Sequence, residues 1–139
     1  MHASEYVFTR PVRFDEVDAA GYVYFARVVA LAHEGLERML GDALPGAYAR
    51  LVTQARVGLP CVHVEADFRA PLRFGDDLEV ALSTEKIGTS SATLAVTVRR
   101  GDGVECARMR YVVACTDLDV PSKRTLDGEL RAAFARHGE

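Results

Sequence analysis

Asp18 stands where a carboxylate could meet a ready set of hydrogen-bond donors. It lies in Arg13-Phe14-Asp15-Glu16-Val17-Asp18-Ala19-Ala20-Gly21-Tyr22-Val23-Tyr24-Phe25-Ala26, a small-residue turn between a strand pattern and a strongly apolar helix pattern. The start of a helix carries unpaired backbone N–H groups and a partial positive charge. Donors of that kind polarise a carbonyl, while a carboxylate beside them activates water or attacks directly, which is acyl chemistry. Local pattern alone favours a plainer role. Asp is among the preferred N-cap residues, so Asp18 is expected to cap the helix.

The other residues able to do chemistry read similarly. Gly21 serves the turn's backbone conformation or permits close approach of a ligand. Tyr22 and Tyr24, at the start of a buried helix, read first as core and second as pocket lining. His33 and His63 stand alone and read first as structural; His33 and Glu34 are adjacent on the helix and cannot share a face. Cys61, Cys106 and Cys115 are widely spaced in strand patterns, with no CxxC pair and no histidine at metal-ligand spacing. They read as buried, inert thiols, and neither a metal nor a cofactor is implied.

These residues need a scaffold, and the chain length of 139 residues suits one domain over 1–139 with its own core. Hydrophobic content of 49% and charged content of 27% are ordinary for a globular protein. A net charge of −3 argues against a nucleic-acid partner. No apolar run approaches the roughly 18 residues of a membrane span, and Met1–Glu5 lacks the basic start and apolar stretch of a secretory signal. The cytoplasm is the expected compartment.

A first strand is expected over Tyr6–Phe14, with Tyr6, Phe8, Val12 and Phe14 on one face and Pro11 marking an edge or a bulge. A helix over Val23–Leu40 follows, stopped by Gly41. From Tyr22 to Ala32 only Arg27 is charged, so its first half is expected to be buried all round. At 1.5 Å per residue it makes a rod about 27 Å long, which a sheet must wrap. A short helix near Pro45–Thr53 comes next. Period-two alternation then marks strands through Val62–Arg69, Leu78–Leu82, Ala92–Val98 and Val104–Asp117. Phe74-Gly75-Asp76-Asp77 reads as a turn and Arg100-Gly101-Asp102-Gly103 as a hairpin. A terminal helix is expected over Leu126–Arg136. The pattern is α+β: an antiparallel five-stranded sheet around a long central helix.

Two blocks carry a resemblance to the 4-hydroxybenzoyl-CoA thioesterase family, whose fold is the hot dog. One is Val12-Arg13-Phe14 with Asp18-Ala19-Ala20-Gly21-Tyr22-Val23-Tyr24-Phe25. The other is Phe68-Arg69-Ala70-Pro71-Leu72 with Gly75-Asp76. With the element order, the similarity spans about residues 6–120. His33-Glu34 and Leu59-Pro60-Cys61-Val62-His63 look most like the branch that hydrolyses 1,4-dihydroxy-2-naphthoyl-CoA. The resemblance implies an acyl-CoA thioesterase with Asp18 as nucleophile or general base. It further implies a thioester oxygen bound by the Phe25 backbone N–H, beside Gly21. Tyr22, Tyr24, His33 and His63 would then contact the acyl group. It also implies a homo-oligomer, a dimer or tetramer. Coenzyme A phosphates would need cations such as Lys86, Arg99, Arg100, Arg108 or Arg110. The segment Lys86-Ile87-Gly88-Thr89-Ser90-Ser91 stands where some relatives of that family carry a more basic stretch. Alternatives are a thioesterase for short or carrier-protein-bound acyl chains, or an acyl-CoA sensor without turnover. The hydratase and dehydratase branches rank below these, because no His–acid motif is present.

Overall fold

Alternating apolar residues build a five-stranded antiparallel sheet in the computed structural model, which describes residues 4–138. Its strands are β1 (Tyr6–Pro11), β3 (Cys61–Phe68), β4 (Asp77–Ile87), β5 (Ser91–Arg100) and β6 (Glu105–Ala114), in the order β1-β4-β5-β6-β3. In the central strand β5, Ala92, Leu94, Val96 and Val98 are all buried on one face, as period two requires. Pro11 falls on an edge strand, where its missing N–H costs no ladder bond. The Gly101–Gly103 hairpin joins β5 to β6, and Gly103 takes the positive φ that the turn needs.

The helix α1 (Phe25–Ala43) lies against the sheet. It buries Val28, Leu31, Ala32, Gly35, Leu36, Met39 and Leu40, a stripe at helical spacing. Gly35 sets the closest approach: a Cβ there would stand 2.5 Å from Leu82 Cδ1 of β4. The helices α2 (Ala47–Thr53) and α3 (Gly128–Ala135) complete that layer. Thr84 Oγ1 donates to the Phe134 carbonyl at 2.8 Å, fastening α3 over the end of β4.

Several expectations are corrected. The first strand stops at Pro11, and Phe14 opens a short 3-10 turn (Phe14–Glu16) with its ring 77% exposed. Helix α1 begins two residues later than expected and runs through Gly41 to Ala43. Its first turn is not buried all round in the single chain: Phe25, Ala26 and Arg27 are exposed. Cys61 is exposed, and Cys115 falls between strands. The pairs β2 (Val57–Gly58), β7 (Thr116–Asp117) and β8 (Ser122–Lys123) form a second, three-stranded sheet that periodicity did not reveal.

Candidate active site

Two straps hold the Asp18 turn. The first is internal: Val17 bridges Val23, the Asp18 N–H donates to the Tyr22 carbonyl at 2.8 Å, and the Gly21 N–H donates to the Asp18 carbonyl at 2.9 Å. Gly21 sits at φ +85°, the region an L side chain enters only with strain. The second strap joins the turn to the segment between β3 and β4. There the Val23 N–H donates to the Leu72 carbonyl and the Phe74 N–H to the Gly21 carbonyl, each at 2.9 Å. The two sequence blocks are therefore neighbours in space.

Asp18 is not the cap of α1. The cap position is Tyr24, six residues on, and no side chain hydrogen-bonds there. The Val23 bonds keep the chain extended up to Tyr24, so the helix cannot start sooner. Asp18 Oδ1 instead accepts the N–H groups of Ala20 (2.9 Å) and Tyr22 (3.1 Å), closing its own turn. Its Oδ2 takes no hydrogen bond from any described residue. Phe25 is the first residue of α1, and its N–H and that of Ala26 belong to the first turn, which has no intrahelical acceptors. One half of the carboxylate is anchored and the other half is unbonded, in the turn that leads into the helix.

Next to that start lies a cleft of about 360 Å³, lined by Val23, Phe25, Val28, Phe68 and Leu72 with Arg69 at its margin. Its size falls within the roughly 300–1,000 Å³ of small-molecule sites. The Phe25 and Phe68 rings meet edge to face, with centroids 6.4 Å apart. Sequence reading did not single out Phe68, Val28 or Leu72 as pocket residues; the hairpin block containing Phe68 and Leu72 was the available signal.

The structure gathers Asp18, Gly21, Tyr22, Tyr24 and Phe25 in one region. Tyr22 and Tyr24 are exposed rather than core, and of the predicted site residues only Phe25 lines the cleft. The Tyr22 ring lies under the Arg73 guanidinium, 5.2 Å from its centroid. The histidines lie elsewhere in the chain. His33 is eight residues beyond Phe25, about 12 Å along the helix axis. Its Nδ1 is 2.9 Å from the Tyr111 hydroxyl and its Nε2 is 3.4 Å from the Tyr48 hydroxyl. Burial holds the imidazole below its ordinary pKa and pushes both phenols up, so the cluster is neutral near pH 7. His63 is exposed on edge strand β3, with Nε2 3.4 Å from Glu65.

Most of the strand cations considered for coenzyme A already have partners. Arg99 pairs with Glu79, Arg100 with Asp102, Arg108 with Glu105 and Arg110 with Glu85. Nearer the Asp18 turn, Arg27 and Arg73 have no carboxylate within 4 Å among the described residues.

A five-stranded antiparallel sheet against a long helix is the arrangement of a hot dog domain. The thioesterase-like superfamily matches residues 12–134, and the chain belongs to it. That membership makes the protein a thioester hydrolase. A 1,4-dihydroxy-2-naphthoyl-CoA hydrolase of Nostoc punctiforme is 35% identical over 126 residues, 90% of this chain and 83% of its own. A Synechococcus elongatus protein of the same name is 35% identical over 85 residues, 61% of this chain and 62% of its own. Among solved structures, the dynemicin thioesterase superposes with a TM-score of 0.85 at 28% identity, covering 97% of this chain and 98% of that one.

Proposed function

We propose that the protein hydrolyses an aromatic acyl-CoA of the 1,4-dihydroxy-2-naphthoyl type to the free acid and coenzyme A. The observation that carries this reading is the Asp18 carboxylate, anchored through Oδ1 and unbonded at Oδ2, in the turn that leads into α1, whose first residue, Phe25, lines an apolar cleft. The 35% identity to hydrolases of that substrate supports the naphthoyl acyl group over a benzoyl one.

In this reading the acyl ring enters the cleft between Phe25 and Phe68, and the thioester oxygen accepts the Phe25 N–H. Asp18 Oδ2 either removes a proton from water or attacks the carbonyl carbon. Negative charge collects on the carbonyl oxygen, where the helix-start donor and dipole stabilise it. Collapse then breaks the C–S bond and releases the coenzyme thiolate, which takes the proton Asp18 removed from water. In the nucleophilic route it leaves a mixed anhydride on Asp18 that water hydrolyses to the free acid. Arg27 and Arg73, which lack an ion-pair partner among the described residues, would meet the coenzyme phosphates. His33 and His63 remain acyl-group contacts only if a second copy brings them to the cleft, so the reading includes a homo-oligomer.

The test is thiol release from dihydroxynaphthoyl, hydroxybenzoyl, benzoyl, short aliphatic and long aliphatic CoA esters. Wild type should turn over an aromatic ester fastest, and Asp18→Asn should lose more than about 100-fold in kcat. Binding without thiol release would make the protein a sensor. Equal activity in Asp18→Asn would leave the carboxylate as a turn-closing group.

A further inference from the structure

Arg10 is only 8% exposed, on the inward face of β1 between the buried residues Phe8 and Val12. All five of its guanidinium N–H groups are used. Nη1 donates to Glu16 Oε1 at 2.9 Å and to the Pro11 carbonyl at 2.9 Å. Nη2 donates to Glu16 Oε2 at 2.6 Å and to Glu34 Oε1 at 2.8 Å, and Nε donates to Glu34 Oε2 at 2.9 Å. Glu16, 7% exposed, also accepts the Arg13 backbone N–H at 2.8 Å. Glu34 also accepts from Arg38 Nε at 3.1 Å.

This cluster joins three pieces of chain: the end of β1, the 3-10 turn two residues before Asp18, and the middle of α1. A fork-shaped cation bound two ways fixes orientation as well as distance. Core filling does not call for it, because buried ion pairs can often be replaced by apolar side chains without loss of stability. Its location is the informative feature. One guanidinium ties the segment leading into the carboxylate to the helix whose first N–H groups complete the site. Reacting groups must meet within about 3–3.5 Å, and a displacement of about 1 Å can cost 100-fold in rate.

We propose that Arg10 and Glu16 are positioning residues for thioester hydrolysis, holding the Asp18 turn in register with the first turn of α1. This rests on the role proposed above for Asp18. Neither residue touches the substrate. The Val17–Val23 bridge and the bonds of Val23 and Gly21 to the Leu72–Phe74 segment also hold the turn, so loss of the ion cluster shifts it without unfolding it.

The experiment is a double-mutant cycle on the aromatic acyl-CoA, using Glu16→Gln, Asp18→Asn and both together. Glu16→Gln should lower kcat by 10-fold or more with KM within about twofold. In the Asp18→Asn background it should change kcat by less than twofold, because there is no longer a carboxylate to place. Glu16→Asp, which keeps the charge on a shorter stem, should fall between wild type and Glu16→Gln. Should Glu16→Gln prove too unstable to assay, Glu16→Asp is run through the same cycle. Equal losses in both backgrounds, or a loss that only tracks the folded fraction, would reduce the cluster to a structural brace and overturn the proposal. Full activity in Glu16→Gln would do the same. An Asp18→Asn protein as active as wild type would instead sink the Asp18 reading itself.

Discussion

The Arg10 cluster shows what a residue-level reading could see and what it passed over. Period two along β1 places residue 10 on the same face as Phe8 and Val12, so the parity was legible. The charge hid it, because an arginine in a strand usually faces water. Asp18 drew notice for the opposite reason, as an acid among small residues before an apolar helix, yet the cap role that pattern favoured is not the one it takes. Its bond to its own turn was not legible, since that depends on where the helix starts. Burial pushes the Glu16 carboxyl up, but the Arg10 guanidinium and the Arg13 N–H outweigh it and leave it below the ordinary carboxylate range. Arg10 likewise holds Glu34 low. A carboxyl depressed in the folded state stabilises fully above its unfolded pKa and loses that contribution as pH falls through the folded value. Stability measured by urea unfolding should therefore fall as the pH drops below about 5. Glu16→Gln should be less stable at pH 7 and show a shallower fall over that window. A parallel, offset curve would mean that Glu16 does not titrate with folding.

At the scale of elements, periodicity gave the chain order of the five sheet strands and α1 and the buried faces of β4 and β5, because long alternating runs dominate their own conformation. The apolar face of β3 is exposed in the single chain. Boundaries and two-residue strands escaped, because contacts distant in sequence set them. Val23 is held extended by Leu72, which delays α1 to Phe25. β2, β7 and β8 exist only through one another, as in the pairing of Gly58 with Thr116. Gly41 looked like a helix stop but lies within α1, where α1 ends only as the Leu44 N–H closes on the Leu40 carbonyl. The two glycines of α1 therefore make opposite predictions. Nothing lies within 4 Å of a Cβ at Gly41, so Gly41→Ala should stabilise by about 0.5–1 kcal/mol through helix propensity. At Gly35 the added atoms meet the fully buried Leu82, so Gly35→Val should cost about 1–3 kcal/mol by overpacking. Thermal unfolding reads both signs. A stabilised Gly35→Val would mean that α1 and β4 are less closely packed than described.

At the scale of the whole molecule, the single chain leaves an unfinished surface on one side. β3 is an edge strand with unpaired backbone groups on its outer side, and Val62 and Phe68 on it are 60% and 51% exposed. Phe25 of α1, touching Phe68, is 68% exposed. An exposed edge of this length is a template for another strand, although β3 also carries the exposed charges Glu65 and Asp67. Val62 and Val64, the apolar pair near the start of β3, leave the edge open to a second copy in antiparallel register. Such pairing would also cover the exposed first turn of α1, the part of the helix that composition marked for burial. Within one chain, His33 and His63 lie apart from Asp18, and docking at β3 is the arrangement that could bring a partner's copies toward the cleft. Sedimentation should therefore find wild type at a dimer mass or above, against 15.2 kDa for one chain. Replacing Val62 and Val64 together by lysine should give a folded monomer by circular dichroism, because both side chains are already exposed and the core loses nothing. If the site is shared between copies, thiol release by that monomer should drop at least tenfold. A lysine variant that stays dimeric would place the interface elsewhere, and a fully active monomer would show that one chain holds the complete site.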